Sequence, residues 1–156
     1  MLPLNRLLAL TVFALLSALA TAGPGYAVYE SQASVDDVLG ALKLAIEERG
    51  MYVNNMMHLS EMLDRTGKDL GQEERIYERA ESVEFCSAVL SREMTREDPA
   101  RLVNCPFIIS VYALPGTPGK TYVVHREIPP DQVAATPVMA RVATMLKEIA
   151  GAAANW

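Results

Sequence analysis

Two strand-like segments joined by a turn constrain the fold of this chain more than any other feature. Residues 107–114, "FIISVYAL", and residues 120–128, "KTYVVHREI", are rich in β-branched and aromatic side chains, which favour extended backbone. "PGTPG" between them is a strong turn signal. Together the two segments predict a β-hairpin, whose apolar side must be covered by other parts of the chain.

Two further segments have the apolar spacing of helices that can provide this cover. Residues 34–50, "SVDDVLGALKLAIEERG", begin with Ser34 as a cap and repeat apolar side chains every three or four positions. Residues 136–151, "TPVMARVATMLKEIAG", begin with a threonine cap and a proline in the first turn and carry a similar stripe. Each predicted helix has one apolar face to bury.

The rest of the chain supplies the remaining elements of the predicted fold. Extended segments are expected at residues 26–32, 51–59 and 82–85, and a two-turn helix at residues 87–95. Residues 60–82 are highly charged and predict a short helical turn at 60–65 followed by a solvated loop. The order β-α-β-β-α-β-β-α indicates an α+β fold in two layers, with a mostly antiparallel sheet and helices packed on one face.

The first residues have the pattern of a secretory leader. A cation is followed by an uncharged run over residues 7–20, which is long enough for the apolar part of a signal peptide and too short to span a bilayer comfortably. Ala20 and Ala22 are the small residues that signal peptidase requires, and a later cut after Ala27 is an alternative. The pattern predicts a periplasmic or secreted protein without an integral membrane span after processing.

A signal peptide at residues 1–22 leaves a single domain, expected at residues 28–154. Its removal takes away Arg6 and no acid, so the formal net charge changes from −5 to −6. A negative chain repels the phosphates of nucleic acids, and no cluster of cations marks a surface for anionic lipids. Nucleic acid is therefore excluded as a partner.

The motifs of several enzyme classes are missing from the sequence. There is no glycine-rich nucleotide loop, no HExxH, no CxxCH and no Cys/His quartet, which argues against a zinc enzyme and excludes covalent c-type haem. The carboxylates at 61–84 have the pattern of a solvated surface, and His125 beside Arg126 is expected to be solvated as well. An enzymatic function is not indicated.

The two cysteines, Cys86 and Cys105, are the residues of greatest interest. Two cysteines in an oxidising compartment commonly pair, and a bridge of this loop length contributes about 3 kcal/mol. If the helix at 87–95 crosses the sheet, however, the sulfurs finish about 17 Å apart, at opposite ends of the sheet. Because the loop at 95–104 could return the chain, an intramolecular bridge remains open.

The local setting of each cysteine suggests a different role. Cys86 precedes the predicted helix, whose dipole favours a thiolate, so it is the candidate reactive or ligating sulfur. Cys105 precedes Pro106 and an apolar strand, so it is expected to be a buried small hydrophobe.

The segment "VEFCSAVLSREMTREDPARLVNCPFIISVYAL", residues 83–114, resembles the family called domain of unknown function 302. The shared pattern is a strand ending in cysteine, a helix, a "DP" turn, and a second cysteine with proline that opens a strand and its hairpin. The resemblance covers roughly residues 30–128. Many relatives carry Asn-Pro after the first cysteine, where this chain has Ser87 and Ala88. The resemblance implies a small α+β domain that can form a homodimer and favours a binding or redox use of the cysteines.

A second candidate site is the segment "MYVNNMMHLSEML", residues 51–63, with four methionines and a histidine. Thioether and imidazole are ligands for copper, and they also form a haem ligand pair. Alternation in a regular strand places Met56 and His58 on one exposed side, and Met51 and Met57 on the inward side as core residues. Packing without a metal is the alternative interpretation of this segment.

These observations favour a non-catalytic periplasmic binding module for a soft metal, haem or another small ligand, with copper or non-covalent haem as the candidate cofactors. A thiol redox protein that uses Cys86, either with Cys105 or across a dimer, is the first alternative. A structural interaction protein with inert thiols is the second.

Overall fold

The structure, a computed structural model, describes residues 20–23 and 25–156, so most of the predicted leader lies outside the described residues. The elements in chain order are β1 (Ala20–Gly23), β2 (Tyr26–Ser31), α1 (Val35–Glu47), β3 (Tyr52–His58), α2 (Leu59–Asp69), β4 (Arg79–Cys86), α3 (Ala88–Glu97), a 3-10 helix (Pro99–Asn104), β5 (Phe107–Ala113), β6 (Thr121–Arg126), α4 (Pro130–Ala135) and α5 (Pro137–Ala154). Within this part of the chain, no helix is both long and apolar enough to cross a membrane.

All six strands form one sheet in the order β1-β2-β6-β5-β4-β3, and every neighbouring pair is antiparallel. The predicted hairpin is formed by β5 and β6, with Val111 opposite Val123. The predicted α+β class with an antiparallel sheet is confirmed. Strand β1, which pairs with β2, was not predicted.

Side chains alternate between the two sides of the sheet, as strand geometry requires. On β5, Phe107, Ile109 and Val111 are buried, whereas Ile108 is exposed. Helices α1 and α5 pack against each other over the buried side, α1 touching β3 and β5 and α5 touching β2 and β6. The apolar stripes predicted for both helices supply much of this core, and each fully buried large side chain contributes about 1.5–3 kcal/mol.

The predicted helix caps are present. Ser34 Oγ accepts a hydrogen bond from the backbone N–H of Asp37, and Thr136 Oγ1 accepts one from Met139. Ser87 caps α3 in the same way, through the N–H of Leu90. Each cap satisfies an N–H group that would lack a partner in the first helical turn.

The charged segment between β3 and β4 is more ordered than predicted. Helix α2 runs over Leu59–Asp69 instead of a single turn at 60–65, and β4 begins at Arg79 rather than at residue 82. Partly buried side chains recur along α2 at helical spacing (Leu59, Met62, Leu63 and Thr66), a stripe obscured by the surrounding charges. Gly67 lets the chain fold back, because a Cβ there would lie 2.5 Å from the carbonyl oxygen of Gln72.

A β-bulge in β3 changes which methionines face the core. Val53 pairs with Phe85, and the next paired residue, Asn55, lies opposite Glu84, so two residues of β3 span one step of β4. A bulge of this kind inverts the alternation beyond it. Met56 therefore packs against the core, while Met57 is 43% exposed. The prediction that Met57 faces inward and Met56 outward is wrong.

Candidate functional site

Cys86 and Cys105 lie at the same end of the sheet. Cys86 is the last residue of β4, and Cys105 lies two positions before β5. Because β4 and β5 are antiparallel neighbours with Phe85 opposite Phe107, the connection between them must return to the end from which it started. The expectation that α3 separates the sulfurs by the length of a strand is therefore wrong.

The two thiols form a small cluster with a hydroxyl group. Cys86 and Cys105 are neighbours, and the Cys105 side chain is close enough to raise the pKa of Cys86. Ser91 Oγ on α3 lies 3.0 Å from the sulfur of Cys105. Both cysteines are free and half-buried, and Cys105 packs against the core. The return segment formed by α3 and the 3-10 helix thus brings Cys105 back beside Cys86 and Ser91.

The surroundings of Cys86 favour the protonated thiol. Burial is the main cause that raises the pKa of Cys86, and the neighbouring Cys105 raises it further, as does Glu84. The backbone N–H of Phe107 acts in the opposite direction. The pKa of Cys86 is raised overall, which is contrary to the prediction that the start of α3 favours a thiolate. Cys86 precedes the capping residue Ser87, so it lies outside the helix itself.

Met56 and His58 have different environments. Met56 lies opposite the buried Val83 and packs against the core, whereas the His58 side chain is 50% exposed. His58 Nδ1 lies 2.6 Å from a carboxylate oxygen of Glu81. Among the described residues, no group of three or more His, Cys, Asp or Glu side chains is arranged to hold a metal ion. The packing interpretation accounts for Met56.

Glu81 is a buried carboxylate that the sequence reasoning missed. It is 4% exposed, and its second oxygen accepts a hydrogen bond from Arg79 Nε at 3.1 Å. Arg79 in turn bonds Asp36 at the start of α1, at 2.7 Å. Strand alternation could have predicted this burial, because Glu81 lies on the same side of β4 as the apolar residues Val83 and Phe85. The prediction of a solvated carboxylate surface is therefore wrong at Glu81.

His125 is buried and not solvated as predicted. It is 5% exposed, because it lies on the same side of β6 as the buried Thr121 and Val123, where α5 covers the sheet. Its Nδ1 lies 2.9 Å from the carbonyl oxygen of Arg126, and its ring stacks on Tyr29 with centroids 5.9 Å apart. Burial lowers the pKa of His125, although the Arg126 carbonyl and Glu127 act in the opposite direction.

Replacement of Cys105 should make Cys86 more reactive. In Cys105→Ala the alkylation rate of Cys86 should reach its midpoint at a lower pH than in the wild type, because a neighbouring group that raises the pKa of Cys86 is gone. The midpoint should stay above the ordinary cysteine value, since burial remains the larger cause. Iodoacetamide labelling with peptide mass spectrometry measures the rate. Ser91→Ala is the matched control, and an unchanged midpoint in Cys105→Ala would contradict the assignment.

The burial of neutral His125 predicts an acid-sensitive fold. The unfolded chain binds a proton near pH 6.5, and the folded chain binds it only at lower pH, so stability is lost as pH falls below that value. His125→Gln removes this term, so its melting temperature should fall less than that of the wild type between about pH 7.5 and about pH 5.5. Thermal unfolding followed by circular dichroism measures both slopes. Equal slopes would show that His125 does not contribute.

Comparison with known proteins places this geometry in a family. The family model described as "Domain of unknown function DUF302" matches residues 27–155, which adds α4 and α5 to the stretch anticipated from the cysteine segment. A crystal structure of an uncharacterised conserved DUF302 protein from Bacillus stearothermophilus has the same fold: the TM-score is 0.66, the identity 14%, and the match covers 83% of this chain and 98% of the other. No curated protein matches this chain. The chain therefore belongs to the DUF302 family.

Proposed function

We propose that this protein is an exported, non-catalytic binding module that holds a soft metal ion, Cu(I), between Cys86 and Cys105. The observation that supports the proposal is that the two thiols are neighbours at one end of the sheet. Thiolate sulfur is a soft ligand that selects Cu(I) over harder cations. The export part of the proposal depends on the predicted leader and places the protein in the periplasm or outside the cell.

The protonation of the site suits a metal that is bound and released. Cys86 must lose its proton when a metal binds, so its raised pKa makes affinity dependent on pH. The positive charge of the ion compensates for the thiolate charge that burial otherwise disfavours. The Ser91 hydroxyl can donate a hydrogen bond to the sulfur of Cys105 and so orient it.

The alternative ligands, Met56 and His58, are less suitable for the same ion. Met56 packs against the core. His58, whose Nδ1 is hydrogen-bonded to Glu81, would therefore have to bind the ion through Nε2 without a thioether partner beside it. A metal at this position would have to draw Met56 out of its packing. The cysteine pair needs no such rearrangement.

The cysteine variants should separate the two candidate sites. Anaerobically reduced wild-type protein should take one equivalent of Cu(I) from the chelator bathocuproine disulfonate, as followed by the absorbance of the chelator complex. Cys86→Ser and Cys105→Ser should each fail to remove Cu(I) from the chelator, whereas Met56→Leu and His58→Gln should still remove it. Ser91→Ala should bind about tenfold more weakly.

Two results would reject the metal site at the cysteines. One is a wild-type protein that competes no better than the Cys86→Ser/Cys105→Ser double variant. The other is loss of Cu(I) binding in Met56→Leu or His58→Gln while both cysteine variants bind as the wild type does. That result would assign the metal site to β3. Circular dichroism of each variant checks that the fold is intact.

A thiol redox function is the second candidate, and the same proximity of the two cysteines favours it. Two neighbouring thiols can form a disulfide with loss of two protons and two electrons, which oxidised glutathione accepts as it becomes two molecules of glutathione. The raised pKa of Cys86 argues for a slow reaction at neutral pH, because the thiolate is the attacking species. On this ground redox exchange is the less favoured of the two candidates.

Thiol counting tests the redox alternative. After equilibration in glutathione buffers, the unfolded wild type should show either two alkylatable thiols or none, with oxidation faster as pH rises. A covalent dimer that dissociates on reduction would place the bridge between two copies. Two thiols in every oxidising buffer would exclude a redox role, and if Cu(I) also failed to bind, only the structural interaction role would remain.

A further inference from the structure

A cleft of about 630 Å³ lies between the β2–β6 part of the sheet and helices α4 and α5. Its volume is within the range of about 300–1,000 Å³ common for small-molecule sites. Most of its lining residues are apolar, and four of them are alanines (Ala27, Ala134, Ala140 and Ala143). None of the cysteines or the β3 residues lines it, so the cleft is separate from the sites considered above.

The polar groups in this cleft converge on one pair of side chains. Tyr29 and His125 both line the cleft and are each 5% exposed. The carbonyl oxygen of Arg126 can only accept a hydrogen bond, so the His125 Nδ1 at 2.9 Å from it carries the ring proton. Nε2 of His125 therefore presents a lone pair, toward which the Tyr29 hydroxyl donates.

The contact between these two groups is long. Tyr29 Oη and His125 Nε2 are 3.5 Å apart, well beyond the usual length of about 2.7–3.0 Å for a hydroxyl donor. Both groups therefore retain hydrogen-bonding capacity at the wall of an apolar cleft. A ligand hydroxyl can use both, by donating to Nε2 and accepting from Tyr29.

The charges around the cleft select against an ionic ligand. Burial and Glu127 both raise the pKa of Tyr29, so the phenol stays neutral, and burial keeps His125 neutral as well. The charged lining residues, Glu127 and Lys147, have opposite signs and leave no net charge for a ligand to neutralise. Haem, with two propionates, is therefore a poorer match than a neutral molecule.

We propose that this cleft binds an uncharged, mainly apolar small molecule that carries one hydroxyl group, held between Tyr29 Oη and His125 Nε2. The apolar body of the molecule lies against α4 and α5, where alanines leave room for it. The hydroxyl provides orientation and selectivity, because an analogue without it leaves the buried polar pair with only its own long contact.

The matched probes α-naphthol and naphthalene test the proposal on the full chain. Ligand-observed NMR titration should show saturable α-naphthol binding, about five- to tenfold tighter than naphthalene, as expected for a buried hydrogen bond. His125→Phe and Tyr29→Phe should each remove this preference while keeping the binding of naphthalene. Ala143→Phe, which places a bulky ring in the cleft from α5, should weaken both probes.

The controls distinguish this site from the proposed metal site. Cys86→Ser should bind α-naphthol with the affinity of the wild type. His125→Gln keeps a polar side chain at this position, so it shows whether any loss of probe binding in His125→Phe reflects damage to the fold. Equal affinity for the two probes in the wild type would overturn the proposal, as would binding that Ala143→Phe leaves unchanged. A haemin Soret shift that depends on His125 would overturn it in favour of a haem site.

Discussion

The antiparallel pairing of β4 with β5 is the interaction on which the rest of this structure depends. Its register, with Phe85 opposite Phe107, puts both aromatic rings into the core at a centroid distance of 5.8 Å. The same register determines where the intervening chain must start and finish. Since β4 and β5 lie inside the sheet, with β3 and β6 on either side, a shift in this pairing would move core residues on every neighbouring strand.

Sequence patterns predicted the elements of this fold better than their arrangement. The hairpin and the two long helices follow from local composition and spacing, which the structure preserves. The placement of Cys86 and Cys105 does not, because it depends on whether β4 and β5 run parallel or antiparallel, and strand direction leaves no mark on residues 86–105. The resemblance in sequence predicted the family and its pattern of two cysteines, but it did not predict that both cysteines lie at the same end of the sheet.

Two other errors have local physical causes. The bulge after Val53 inverts the alternation of β3, and a strict period of two cannot anticipate an inserted residue. His125 looked solvated because it ends the hairpin in sequence, whereas β2 pairs with β6 and turns that edge into the interior of the sheet. Strand alternation could have predicted the burial of Glu81, but not its partners: Arg79 lies on the same strand, whereas His58 comes from β3.

The two proposed sites share one end of the sheet and use different parts of it. The cysteine pair lies where β4 ends and β5 begins, and His125 of the cleft lies near the end of β6, opposite Ile109 of β5. The cysteines depend on the return of α3, while the cleft depends on α4 and α5 packing over β2 and β6. Because no lining residue of the cleft contributes to the sulfur cluster, a ligand in one site need not alter the other. The two proposed sites therefore depend on different pairs of strands, β4 and β5 for the cysteines and β2 and β6 for the cleft.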